Sequence, residues 1–105
     1  MFTKLNGNES YDHIFGSSFD CYLENTTYQE LVQALGPPSL PEKSGDGKIQ
    51  KEWVFVDEDG NPFTIYDWKT GSEDVTMNEI TTWCVGAKTD TTSFKEWLTS
   101  KFNSL

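Results

Sequence analysis

Residues 48–69 read KIQKEWVFVDEDGNPFTIYDWK and contain the clearest fold signal in the chain. Two runs rich in Val, Ile and aromatic residues, 49–56 and 63–68, flank the polar sequence DEDGNP at 57–62. Apolar runs on either side of an Asp-Gly pair are typical of a β-hairpin. We therefore predict two antiparallel strands in this segment.

A turn centred on Asp59 and Gly60 would set the pairing of these two strands. It places Trp53 opposite Tyr66 and Glu52 opposite Asp67. Because side chains alternate between the faces of a strand, each face then has its own character. The predicted aromatic face comprises Trp53, Phe55, Tyr66 and Trp68, and the predicted aliphatic face comprises Val54, Val56, Phe63 and Ile65.

Two amphipathic helices are predicted outside the hairpin. Thr27 and Glu30 form a capping box, and Gly36 with two prolines ends the helix that follows. A second capping box, Ser93 with Glu96, precedes the other helix. The apolar stripes are Tyr28, Leu31, Val32 and Leu35 in the first helix and Phe94, Trp97, Leu98 and Phe102 in the second. Since each stripe needs one flat partner, we expect both helices to pack on the aliphatic face.

Two further strands complete the predicted fold. Residues 19–23 could form an opening strand, and residues 80–85 form a third main strand that ends at Gly86. The predicted order is β-α-β-β-β-α, an α+β fold with an antiparallel sheet of three to four strands and two helices on one face. A chain of 105 residues fits a single domain, in which residues 1–16 show the weakest pattern.

Acidic residues dominate the charge of the chain. There are 17 Asp and Glu residues against 8 Lys and Arg, which gives a formal net charge of −9. This charge opposes direct binding to nucleic acid and to anionic membranes. No apolar run approaches the ~20 residues that cross a bilayer, and residues 1–10 lack a signal core. We expect a protein that stays in the cytoplasm.

The sequence contains no recognisable catalytic or metal-binding constellation. Cys21 and Cys84 form no C-x-x-C pair, and His13, the one histidine, has no triad pattern beside it. No glycine-rich phosphate loop is present. We therefore predict a protein that is not an enzyme and that needs no cofactor and no metal ion.

Glu52 and Asp67 form the most unusual charged pair of the hairpin. Carboxylates on neighbouring strands repel each other unless a proton, a cation or a basic residue of a partner lies between them. The favoured alternative is that both extend into solvent or pair with Lys51, Lys69 or Lys48.

The aromatic face is the stronger candidate for binding, because one layer of helices covers only one side of a sheet. Its cover could come from residues 1–16, a partner protein, a second copy of the chain, or a ligand such as a nucleotide. In the last case Lys51 and Lys69 could contact an anionic group. The candidate binding residues are Trp53, Phe55, Tyr66, Trp68, Lys51, Lys69, Glu52 and Asp67.

Several short motifs occur in a characteristic order: Gly16-Ser17-Ser18, Thr27-Tyr28, Glu30-Leu31, Leu35-Gly36-Pro37, Glu52-Trp53, Asp59-Gly60, TIYDWK at 64–69, and Trp83 before Gly86. This order resembles a family of small uncharacterised proteins found in bacteriophages and other large DNA viruses. Relatives end in a Trp-His-Ile-Gly-Gly type of motif, whereas this chain has Trp83-Cys84-Val85-Gly86-Ala87. The departure removes the one histidine that the motif would share.

The resemblance implies a viral origin and an α+β domain, but no assigned activity. Small acidic viral proteins often occupy a surface of a host component. Our leading hypothesis is a non-enzymatic binding protein, a viral accessory factor that inhibits or redirects a host protein such as part of a defence system. Nucleic-acid mimicry, capture of a small nucleotide ligand on the aromatic face, and a homodimer remain as alternatives.

Overall fold

The computed structural model describes residues 2–6, 18–40, 51–67 and 80–104. These residues form five antiparallel strands and two helices, which confirms the predicted α+β class with one strand more than the predicted maximum. In chain order the elements are β1 Thr3–Lys4, β2 Ser18–Leu23, α1 Tyr28–Leu35, β3 Glu52–Val56, β4 Pro62–Tyr66, β5 Trp83–Ala87 and α2 Thr92–Asn103.

The sheet has the strand order β1-β3-β4-β5-β2. At one side, β3 is bordered by β1 and by Leu40, which bridges to Glu52. Between these two contacts, the Val54 amide donates to the hydroxyl of Ser39 over 2.9 Å. At the other side lies β2, whose outer edge has no strand partner among the described residues. Within the described residues, β1 and β2 are therefore the two edge strands, and the outer side of β2 pairs with no strand.

The hairpin is present, but its predicted register is wrong by one residue. Trp53 pairs with Ile65, and Glu52 pairs with Tyr66. The cause is the loop, which has three residues, 58–60, where a two-residue turn was predicted. The amide of Asp57 donates to the carbonyl of Asn61 over 3.1 Å and closes this loop. A slip of one residue exchanges the two faces of one strand relative to the other.

The two helices cover the same face of the sheet, as predicted, but that face includes Trp53 and Phe55. The ring of Phe94 stacks on Phe63 with centroids 4.9 Å apart, and Trp97 lies edge-on to Phe55 at 5.2 Å. The core contains Leu31, Trp53, Phe55, Phe63, Ile65, Ile80, Trp83, Val85, Ala87, Phe94 and Leu98. The prediction that the helices pack on a face of Val54, Val56, Phe63 and Ile65 is wrong for the two valines.

Both buried indole groups also hold neighbouring segments by hydrogen bonds. The Trp53 Nε1–H donates to the carbonyl of Gly36 over 3.0 Å, at the end of α1. The Trp83 Nε1–H donates to the carbonyl of Thr26 over 2.8 Å, just before α1 begins. These two bonds fix both ends of α1 to the sheet, because a buried indole N–H is stable only with a partner.

The two helix starts differ in how well the sequence predicts them. At α1 the capping box is confirmed, since the amide of Glu30 donates to the Thr27 hydroxyl and the amide of Thr27 donates to the Glu30 carboxylate. At α2 the predicted box of Ser93 and Glu96 is wrong. The N-cap is Thr91, and its hydroxyl donates to the Asp20 carboxylate over 2.6 Å, so it caps no helix amide.

One amino-terminal residue that was expected to help cover the sheet face opposite the helices does not do so. Phe2 lies on the helix side, with its ring 5.2 Å from both Phe63 and Phe94. Tyr11, His13, Ile14, Phe15, Lys48, Trp68 and Lys69 lie outside the described residues. In the part of the chain that is described, no helix is both long and apolar enough to span a bilayer.

Candidate binding site

The face of the sheet opposite the core, which we call the second face, is organised in rows across the strands. Register places Glu52 beside Tyr66, Tyr66 beside Cys84, and Cys84 beside Tyr22. This row crosses β3, β4, β5 and β2 in that order. The next row contains Val54, Thr64, Gly86 and Phe19.

Two of the predicted binding residues belong to the core. The side chains of Trp53 and Phe55 are 0% and 1% exposed, so neither can contact a partner. Their burial follows from the three-residue hairpin loop, which turns them towards the helices. Trp68 and Lys69 lie outside the described residues, and Lys51 is half-buried next to β3. The predicted aromatic binding face is therefore not the surface of this protein.

A different pair of rings is exposed. Phe19 and Tyr22 on β2 are 50% and 60% exposed, and their ring centroids are 4.9 Å apart. With Tyr66 and Cys84 they line a groove of about 240 Å³ on the second face. We call this the β2 groove. Of the predicted site residues, only Tyr66 is part of its described lining.

A bulge in β2 brings the two exposed rings together. Phe19 pairs with Gly86 and Tyr22 pairs with Cys84, and the register shifts between Phe19 and Cys21. In a regular strand, residues 19 and 22 would point to opposite faces. The extra residue of the bulge places both side chains on the same face of the sheet. The sequence indicated a strand here, but it contained no local signal for the bulge.

The bulge is attached to the start of α2. Asp20 accepts the hydrogen bond from Thr91, and this bond, followed by one from Cys21, lowers the pKa of the Asp20 carboxyl. Asp20 therefore carries its negative charge at neutral pH beside the exposed rings. The contact joins residues 71 positions apart in sequence, which explains why local pattern did not predict it.

Gly86 gives the Tyr66 ring room beside β5. A Cβ atom at this position would lie 3.0 Å from Thr64 Oγ1, 3.1 Å from the carbonyl of Ser18 and 3.5 Å from Tyr66 Cε1. Two of these contacts are shorter than ordinary van der Waals separations. A residue larger than glycine would therefore disturb the second face next to the groove.

Glu52 lies at the inner end of the row and is only 7% exposed. Its carboxyl has no hydrogen-bond or ion-pair partner within the described ranges. Burial, and then the negative charge of Asp67, raise the pKa of Glu52 to about 7. The two carboxylates were expected to extend into solvent or to pair with Lys51, Lys69 or Lys48, and extension into solvent is wrong because both are buried. Asp67 accepts a hydrogen bond from the Lys51 amide over 2.8 Å, and pairing with Lys48 or Lys69 lies outside the described residues.

Tyr66 and Cys84, in the middle of the row, stay protonated near neutral pH. Burial, and then the proximity of Cys84 and Glu52, raise the pKa of Tyr66 to about 12. Burial and the charge of Asp67 also raise the pKa of the Cys84 thiol. Neither group is activated as a nucleophile, because activation requires a lowered pKa. The groove is therefore lined by aromatic rings, and the carboxyls of Glu52 and Asp67 lie next to it in the sheet.

Two observations limit other kinds of site in the described residues. No group of three or more His, Cys, Asp and Glu side chains there is placed to hold a metal ion. The exposed acids of the described residues are distributed over several segments: Asp20 on β2 and Glu24 just after it, Glu30 on α1, Glu58 and Asp59 in the hairpin loop, Asp90 just before α2, and Glu96 on α2.

Neither a protein-family model, nor a curated protein, nor a solved structure matches this chain. The resemblance to small phage proteins therefore stays a prediction. The geometry of the second face is the basis for any functional proposal.

Proposed function

We propose that this chain is a non-enzymatic acidic binding protein that contacts a partner protein through β2. One observation carries the proposal: Phe19 and Tyr22, two large rings, lie side by side and half-exposed on an edge strand. Other rings, such as Trp53, Trp83 and Phe94, are fully buried. An exposed aromatic patch of this kind is typical of an interaction surface.

The backbone of β2 supports the same surface. Its outer edge pairs with no strand in the described part of the chain, and an open edge is a template for an added strand from a partner. A net charge of −9 favours a basic partner and speeds its association. A partner segment that pairs with the outer edge of β2 would contact both its backbone and the two rings.

A second copy of this chain is a weaker candidate for the partner. Antiparallel pairing of β2 with itself would bring Asp20 and Glu24 of one copy close to the same residues of the other. Each copy also carries a charge of −9, which opposes association. The resemblance to viral proteins instead suggests a host protein, such as a defence component, in the cytoplasm of the infected cell.

The two alternative functions have less support. Nucleic-acid mimicry needs acids gathered along one stripe, whereas the exposed acids of the described residues are distributed over two strands' surroundings, two helices and the hairpin loop. Nucleotide capture needs a larger site, because the groove of about 240 Å³ is smaller than the roughly 300–1,000 Å³ typical of ligand pockets. The charges of Glu52 and Asp67 would also repel phosphate groups.

A capture experiment with matched variants tests the proposal. Wild-type protein, the Phe19→Ser/Tyr22→Ser double variant, and a Gln29→Ala/Gln33→Ala control on α1 are each used to capture proteins from cell lysate at several salt concentrations. Both glutamines are exposed and lie away from β2. We expect wild type and control to retain the same partner and the double variant to lose it, while all three melt at similar temperatures.

The proposal is wrong if the double variant retains the partner as well as wild type does. It is also wrong if wild type captures nothing above background at any salt concentration.

A further inference from the structure

We infer that the β2 groove binds the guanidinium group of an arginine side chain on the partner protein. The inference rests on the proposed function and names the chemistry of its main contact. Three aromatic rings, Phe19, Tyr22 and Tyr66, line the groove together with Cys84. Rings arranged around a small space form the kind of site that binds cations by contact with their π faces.

The size of the groove fits one side chain. Its volume of about 240 Å³ is below the range that encloses a whole small-molecule ligand, roughly 300–1,000 Å³. An extended partner segment paired with the outer edge of β2 would direct every second side chain towards the second face. One of these side chains would then lie next to Tyr22 and could enter the groove.

The charges beside the groove favour a cation. Glu52 is the cross-strand neighbour of Tyr66 and is buried. Its carboxyl has no hydrogen-bond or ion-pair partner among the residues described. Asp67, directly after β4, is buried and acts electrostatically on both Glu52 and Cys84. Among the described cations, Lys51 directly precedes Glu52, Lys88 directly follows β5, and Lys95 acts on Asp20 and Cys21 from α2.

Arginine suits these surroundings better than other cations or neutral groups. Its guanidinium is planar, stacks on aromatic rings, and is less strongly hydrated than the ammonium of lysine. It also stays charged throughout the range in which Glu52 titrates. When the cation binds, the ionised form of Glu52 gains stability, so binding releases a proton from a carboxyl that is partly protonated at neutral pH.

NMR titration of the ¹⁵N-labelled protein with two short peptides tests the inference. The probes are acetyl-Gly-Arg-Gly-amide and the same peptide with citrulline, which has the shape of arginine without its charge. At about pH 8 we expect the arginine peptide to shift the amide signals of Phe19, Tyr22 and Cys84 and to bind about fivefold or more tightly than the citrulline peptide.

Variants separate the contributions of the rings and of the carboxyl. We expect Glu52→Gln to weaken binding of the arginine peptide about threefold or more and to leave binding of the citrulline peptide unchanged. We expect Phe19→Ser/Tyr22→Ser to abolish binding of both. The affinity of wild type for the arginine peptide should fall from about pH 8 to about pH 6, and that of Glu52→Gln should stay constant.

Equal binding of the two peptides, or binding of neither, would overturn the inference. So would a Glu52→Gln variant with unchanged affinity for arginine. The capture experiment is independent of these results. Loss of the partner from the double variant would still support β2 as the contact surface. Retention of the partner by that variant would reject the proposed function itself.

Discussion

Glu52 has the most unusual chemical environment of the described residues. It is a carboxyl that is 7% exposed, lacks a partner in the described part of the chain, and has a neighbouring charge of the same sign. The sequence analysis correctly predicted that Glu52 and Asp67 lie close to each other. It placed them directly opposite each other, whereas Glu52 pairs with Tyr66. It could not predict their burial, because burial depends on residues distant in sequence.

The raised pKa of Glu52 makes stability depend on pH. The carboxyl is protonated in both states below a pH of about 4.5, and above that pH the unfolded chain ionises first. Stability therefore falls as the pH rises through the interval to about 7, and is constant above it. The shift from 4.5 to about 7 corresponds to about 3 kcal/mol, since each pKa unit is worth about 1.4 kcal/mol.

We expect Glu52→Gln to remove this dependence. At about pH 4 the free energy of unfolding of wild type and variant should differ little, and at about pH 8 the variant should be the more stable by up to about 3 kcal/mol. Urea unfolding at a series of pH values measures the difference. A difference between the two proteins that does not change with pH would contradict the assigned environment of Glu52.

At the scale of elements, the β3–β4 loop decides which side chains form the core. The loop is one residue longer than a two-residue turn, and it has Gly60 at φ 84°. The carboxylate of Asp57 accepts hydrogen bonds from the amides of Asp59 and Asn61. This hydrogen bonding stabilises a loop of three residues and so fixes the observed register.

Substitution of Gly60 tests the loop conformation. A Cβ atom at this position would have no neighbour within 4 Å, so the cost of a side chain arises from the backbone alone. We expect Gly60→Ala to lower the free energy of unfolding by about 1 kcal/mol, because positive φ is unfavourable for alanine. Gly60→Asn is the control and should cost less, since asparagine tolerates this conformation. If chemical denaturation shows that neither substitution changes the free energy of unfolding, residue 60 does not have the positive φ described here.

The elements that sequence predicted well are those with local signals. The α1 helix follows from Thr27, Glu30 and Gly36, all within ten residues of one another. The hairpin follows from two apolar runs and the polar segment between them. Its register does not, because loops of two and three residues fit the same DEDGNP sequence. The bulge in β2 includes Asp20, which accepts a hydrogen bond from Thr91, a residue distant in sequence.

At the scale of the whole molecule, the two faces of the sheet have different roles. One face, with Trp53 and Phe55, packs against both helices and forms the core. The other includes the row from Glu52 to Tyr22 and ends at β2, whose outer edge pairs with no strand among the described residues. The sequence analysis predicted two apolar faces. Because its register was wrong by one residue, it assigned Val54 and Val56 to the core face in place of Trp53 and Phe55. The proposed binding surface therefore lies on β2 and not on the hairpin face that the sequence predicted.

Hydroxyl-radical labelling with mass spectrometry measures ring exposure on both faces at once, in the free protein and in a captured complex. We expect Phe19 and Tyr22 to be oxidised readily in the free protein and to become protected in the complex, while Trp53 and Trp83 stay unmodified in both. Rapid oxidation of Trp53 in the folded protein, or unchanged oxidation of Phe19 and Tyr22 in the complex, would contradict the account.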